Sequence, residues 1–107
     1  MIGEALKGHL DLLLLSILAE GPAHGYAVIE SLRQRSSGTF DLPEGTIYPA
    51  LHRLEKQSLL ISDWMEESGR RRRIYRLTPK GKQALNKRQQ EWQTFSKAVN
   101  ATTSGAT

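Results

Sequence analysis

Arg70-Arg71-Arg72-Arg73 is the densest run of one chemistry in this 107-residue chain. A guanidinium stays charged at any ordinary pH, and its rigid fork of N–H donors matches phosphate oxygens. A second group recurs at helical spacing. Gly45, Pro49, His52, Arg53 and Lys56 fall opposite the apolar stripe Ile47, Ala50, Leu51 and Leu54, with Thr46 and Tyr48 at the flanks. A mixed polar helix face of this kind meets base edges when it lies in the major groove of duplex DNA, and an arginine such as Arg53 pairs twice with guanine. His52, Arg53 and Lys56 are therefore the candidate base readers. The four arginines are the candidate phosphate contacts, although strand alternation keeps all four from facing one side. The plain alternatives are a solvated turn for the arginine run and a surface ion pair for Arg53.

The net charge is +4, yet residues 1–69 carry five Lys/Arg against ten Asp/Glu, whereas residues 70–107 carry ten against one. That asymmetry points to a polyanion-facing surface in the C-terminal third. Catalysis has little to stand on. His9, His24 and His52 are scattered, and none sits in an H-E-x-x-H arrangement. Thr78-Pro79-Lys80-Gly81-Lys82 holds a Gly-Lys pair without the upstream glycine or the following Ser/Thr of a phosphate loop. The chain has no cysteine, which removes disulfide scaffolds, zinc fingers and thiol nucleophiles. No enzymatic activity, cofactor or metal site is expected. The apolar run around Leu12–Leu15, Ile17 and Leu18 is about ten residues long, against about twenty for a membrane span. Asp11 and Glu20 bracket it and no small-residue cleavage site follows, so the reading is a cytoplasmic protein without membrane contact.

The elements that must position these residues follow from periodicity. Ala5–Ala19 reads as one helix covered on more than one face, ended by Gly21 in a left-handed cap before Pro22. A second helix is expected from His24 to Gln34, and Ser36-Ser37-Gly38 breaks it. Phe40 and Leu42 read as loop residues tucked into the core. The third helix runs to Gln57. Pro49 is harmless there if Thr46 is the N-cap, whereas a start near Pro43 implies a tolerated kink. Leu59–Met65 and Ile74–Leu77 have strand composition, and Glu66-Glu67-Ser68-Gly69 between them supplies turn chemistry. Thr78-Pro79 opens a last helix reaching Val99, and Asn100–Thr107 reads as a disordered tail.

The expected fold is therefore mainly α with a small β-hairpin. Residues 1–78 form a winged helix-turn-helix, residues 79–99 a C-terminal dimerisation helix, and residues 100–107 the tail. Leu85, Trp92 and Val99 recur every seven residues, with Phe95 beside them. That seam extends beyond the body of the domain, and large exposed apolar patches usually mark partners. Arg88 interrupts it, and a seam folded back on its own domain is the alternative.

The sequence resembles the PadR family of bacterial transcriptional regulators over roughly residues 8–85. The resemblance is carried by His24-Gly25-Tyr26, by Gly45-Thr46-Ile47-Tyr48-Pro49-Ala50-Leu51-His52-Arg53-Leu54-Glu55, by Trp64 and Gly69-Arg70, and by Tyr75-Arg76-Leu77-Thr78-Pro79-Lys80-Gly81. Its length is similar to that of the short subgroup with a single C-terminal helix. The resemblance implies that Thr46 and Tyr48 contact phosphate or base. It also implies a homodimer formed by the last helix with the first, engaging Leu6 and Leu10 beside Leu85, Trp92, Phe95 and Val99. It further implies a repressor on a palindromic duplex operator, released by a small aromatic ligand stacked on Trp92. Relatives usually carry glycine where Ser58 stands. A left-handed residue other than glycine costs about 1–2 kcal/mol, so the third helix is expected to end by another route. Two other readings remain open, a winged-helix module for protein contacts and a non-specific nucleic-acid coat.

Overall fold

The first apolar stretch does not form one helix. In the computed structural model, which describes residues 2–105, it folds as α1 (Ile2–Lys7) and α2 (Leu10–Leu18) with a turn at Gly8-His9. Gly8 is a poor helix former, and the chain tightens there as His9 N–H bonds the Leu6 carbonyl at 2.8 Å. The apolar spacing runs straight across this break, which is why periodicity missed it. Leu14 and Leu15 are both fully buried, as expected of a helix covered on two sides. Gly21 has φ +151°, but it comes too late to cap α2. The last turn closes instead through Glu20 N–H to Ile17 and Gly21 N–H to Leu18.

A two-residue strand, β1 (Ala23–His24), precedes α3 (Gly25–Arg35). His24 is the N-cap of α3, and its Nδ1 accepts the Ala27 N–H at 3.1 Å. The third long helix, α4 (Glu44–Lys56), has Pro43 as its N-cap residue. Thr46 therefore lies inside the first turn rather than capping it, and Pro49 sits within the helix. Its ring would press on the carbonyl of Gly45 four residues earlier, and both residues are exposed.

Ser58 does adopt the left-handed conformation, at φ +65°. Leu59 N–H bonds the Leu54 carbonyl at 3.0 Å and Ser58 N–H bonds Glu55 at 2.9 Å. This paired closure satisfies the last carbonyls of α4 without glycine. The Thr78 hydroxyl then donates to the Ser58 carbonyl at 2.7 Å.

Strands β2 (Leu60–Glu67) and β3 (Arg70–Leu77) pair antiparallel, joined by Ser68-Gly69 alone. Both turn residues have positive φ, +51° and +78°, the geometry that matches the twist of a two-residue hairpin. Glu66 and Glu67 thus belong to β2, and all four arginines lie within β3. β1 adds to the far edge, giving the order β1-β3-β2. Two residues are too few to carry a strand signature.

α5 (Pro79–Thr103) begins at Thr78, whose hydroxyl accepts the Gly81 N–H at 2.9 Å. A side chain on Gly81 would collide with the Leu59 carbonyl, so glycine lets α5 lie against the start of β2. The helix continues past Val99, and residues 100–103 are helical rather than part of a tail. No Gly or Pro interrupts them until Gly105 turns the chain at φ +60°. Ala106 and Thr107 lie outside the described residues. One core gathers Leu14, Leu15, Val28, Ile47, Leu51, Leu54, Leu60 and Tyr75, with Phe40 and Leu42 packed against it. Leu85 belongs to this core at 6% exposure and so leaves the seam expected of it. Burial there follows from its place two turns into α5, where the helix still lies against the domain.

Candidate nucleic-acid interface

Burial of Ile47, Ala50, Leu51 and Leu54 fixes the rotation of α4. Gly45, Pro49, His52 and Lys56 are consequently exposed along one stripe, at the i, i+4, i+7 and i+11 positions that share a helix face. His52 and Lys56 thus stand where the spacing put them. The two flanks of α4 differ. Thr46 and Arg53 turn toward α2 and α5, where with Asp11 and Arg88 they line a depression of ≈730 Å³. Arg53 donates to the Asp11 carboxylate, and Arg88 lies 3.7 Å from the same group. In the free chain Arg53 thus stands in a surface ion pair, the plain alternative to its role as a base reader. Asp11 is only 16% exposed, and a partly dehydrated carboxylate recruits the nearest cations.

The opposite flank carries Tyr48 toward the hairpin. His24, Gly25, Tyr26, Tyr48, Trp64 and Arg70–Arg73 line a cleft of ≈350 Å³. Gly25 is required there, because a Cβ at that position would enter the Tyr48 ring. Pairing of Trp64 with Arg73, and of Glu66 with Arg71, puts Arg71 and Arg73 on the indole side of the sheet. Their guanidinium carbons lie 4.8 and 5.4 Å from the Trp64 ring centroid, within cation–π range. Arg73 also donates to the Ser62 hydroxyl at 2.9 Å, and Ser62 donates to Glu55 of α4 at 2.6 Å. That chain of bonds ties the hairpin to α4. Arg72 turns to His24, with Nη1 at 2.7 Å from Nε2. Among the described residues Arg70 and Arg71 form no ion pair, and both are exposed. The hairpin tip therefore offers two exposed guanidiniums outside any ion pair, each opposite a glutamate of β2, while Arg72 and Arg73 are held inward.

Burial holds the His24 pKa below its ordinary 6.5, and the Arg72 charge lowers it further, against a raising influence of Glu67. The Tyr75 hydroxyl behind the cleft is sealed without a hydrogen-bond partner, and burial pushes its pKa up. Sequence reasoning missed three cleft residues. Tyr26 and Trp64 are 58% and 53% exposed, a signal visible only once strand register is known. His24 meets Arg72 across 48 positions of sequence.

At the far side of the domain Trp92, Phe95 and Val99 remain exposed on α5. The His9 ring meets Trp92 edge-on at 4.9 Å, and Phe95 lies 6.2 Å from Trp92. Leu6, His9, Leu12, Leu13, Phe40 and Trp92 border an apolar pocket of ≈380 Å³. Leu6 is buried within the single chain and Leu10 is half-buried. Among the described residues no helix is long and apolar enough to cross a membrane.

The model of the PadR-like family of transcriptional regulators matches residues 14–87. A transcriptional regulator of Mycobacterium tuberculosis is 34% identical over 90% of this chain and 87% of its own length. The crystal structure of a PadR-like transcriptional regulator from Bacillus cereus superposes with a TM-score of 0.86 at 32% identity, covering 96% of this chain and 99% of the other. A PadR family regulator from Clostridium difficile is 38% identical with a TM-score of 0.78, over 87% and 96% of the two chains.

Proposed function

The chain belongs to the PadR-like family of transcriptional regulators, and from that premise we propose that it represses transcription in the cytoplasm as a homodimer on a two-fold-symmetric duplex operator. The observation that carries this reading is the cleft in which Tyr48 of α4 meets the arginine-bearing hairpin beside an exposed polar helix face. In the bound complex His52 and Lys56 reach base edges, while Thr46 and Tyr48 fix the helix start against the backbone. Arg70 and Arg71 supply phosphate contacts, which position the protein and make affinity salt-dependent. Arg53 braces α4 against α2 through Asp11 in the free chain. Residues 1–78 form the DNA-binding unit and α5 the dimerisation helix.

The dimer is supported by the apolar stripe Trp92, Phe95 and Val99, three large side chains that a monomer leaves wet. Leu6 and Leu10 flank the same side of the domain. An aromatic effector stacked on Trp92 in the adjoining apolar pocket would release DNA only if it binds one spacing of the two reading heads better than the other. Selection of bound duplexes from a random-sequence library, at salt near physiological, tests the reading. An inverted repeat with half-site centres about ten base pairs apart is expected. Enrichment without symmetry removes the dimeric geometry, and no enrichment favours a protein-contact or coating role.

A further inference from the structure

α5 leaves the domain between Leu85, which is buried, and Trp92, Phe95 and Val99, which are exposed. Two side chains at the beginning of α2 meet it there. The His9 ring, at the N-cap, touches Trp92, and Asp11 in the first turn faces Arg88 at 3.7 Å. Only the second of these ties reaches further. One oxygen of Asp11 accepts from Arg53 of α4 while the other faces Arg88 of α5. Among the described residues no other carboxylate pairs with two arginines. A single group on α2 thus joins the proposed reading helix to the helix that carries the apolar seam. Both guanidiniums are more than a third exposed, and ion pairs so placed add about 1 kcal/mol or less to stability. That is little for holding a core together, yet enough to choose between two tilts of a long helix. Residues 88–103 span about 22 Å. A tilt of about 10° at Arg88 therefore moves the far end of α5 by about 4 Å relative to the domain, on the order of one base-pair rise.

We propose that Asp11 is a positioning residue for operator recognition. By holding Arg53 and Arg88 at once, it sets the angle between α4 and α5 and hence the half-site spacing that a dimer accepts. The proposal rests on the homodimer reading above and adds to it a residue that touches neither base nor phosphate. Arg88, which interrupts the apolar seam of α5, acts through Asp11 as the second half of the same brace.

The test uses the full chain as wild type, Asp11→Asn, Arg88→Gln and the double variant, with Kd measured on three kinds of duplex. The first carries the inverted repeat enriched from the random library. The second lengthens or shortens its spacer by one base pair, and the third holds a single half-site. Wild type should prefer the enriched spacing about tenfold, as for a half-site forced out of register. Each single variant should cut that preference about threefold, the scale of an exposed ion pair, with half-site affinity as in wild type. The double variant should fall no further than Asp11→Asn, because the two residues act as one unit. A merely structural role behaves differently, since partial unfolding weakens the half-site and the full repeat in the same proportion. That proportional loss, or an unchanged spacing preference in Asp11→Asn, would overturn the proposal and leave dimeric binding standing. Tighter half-site binding with a steeper salt slope in Asp11→Asn would overturn it too, by showing that Asp11 keeps Arg53 from the DNA. Wild type that binds a single half-site as tightly as the full repeat would remove the dimeric reading together with the proposal.

Discussion

Two groups of arginines in this protein show the same side chain in opposite circumstances. Arg53 and Arg88 close around Asp11, so two helices, α4 and α5, share one carboxylate on α2. Arg70 and Arg71 stand at the end of a hairpin outside any ion pair among the described residues, with Glu67 and Glu66 as their cross-strand neighbours, and Arg72 contacts the His24 ring. The first group spends its charge on holding the domain together. The second leaves it exposed at the surface, where the proposed reading puts the DNA backbone. What separates them is the neighbourhood of a partly buried carboxylate, not the residue type, and it explains why a lone arginine on a reading helix can turn out to be a brace.

The largest effect should come from the open group. Arg70→Ala with Arg71→Ala is expected to lower duplex affinity at least tenfold at low salt and reduce the salt slope by about two, read from fluorescence anisotropy across a salt series. An unchanged slope would mean that the hairpin tip does not meet phosphate. Gly25→Ala comes next, because its Cβ drives the Tyr48 ring out of the cleft. Overpacking of this kind costs about 1–3 kcal/mol, visible in urea denaturation, and should weaken duplex binding as Tyr48 moves.

Asp11→Ala attacks the closed group. It leaves two guanidiniums without their shared counter-ion, but both are more than a third exposed. Water screening holds the expected loss to about 1 kcal/mol. The salt slope on DNA should stay as in wild type. A larger slope would show that Arg53 joins the interface once released, and would blur the contrast. The smallest effect belongs to His24. Its folded pKa is depressed below 6.5, so the folded state binds fewer protons than the unfolded chain. Its contribution to stability is complete above pH 6.5 and declines as pH falls from there through the depressed value. His24→Asn should remove that part of the acid slope in a pH series of denaturation midpoints, and an identical slope in the variant would deny His24 the role.

Much of the fold was legible in the chain because helices and the hairpin announce themselves locally. The stripe Ile47, Ala50, Leu51 and Leu54, the Thr78-Pro79 start and the outward placement of His52 and Lys56 all follow from short-range spacing. What periodicity cannot carry is pairing across the sequence. β1 has two residues and no pattern of its own, so its place beside β3 arises only in the assembled sheet. Arg53 looked free because Asp11 lies 42 positions away. Part of the acidic excess of residues 1–69 is absorbed the same way, as Asp63 pairs with Arg76, Glu55 with Arg73 and Asp11 with Arg88. Ser58 was misread for a different reason. The cost of its left-handed backbone was weighed, but not the two hydrogen bonds and the Thr78 contact that offset it.

Trp64 offers the most direct test that the cleft is the nucleic-acid interface. The chain has two tryptophans, and Trp92→Phe keeps a ring on α5 while leaving Trp64 as the only indole. Titrating this variant with the enriched duplex should change Trp64 emission saturably, along the same curve as anisotropy of a labelled DNA strand. Full anisotropic binding with Trp64 emission unaltered would place the DNA elsewhere on the molecule and contradict the account.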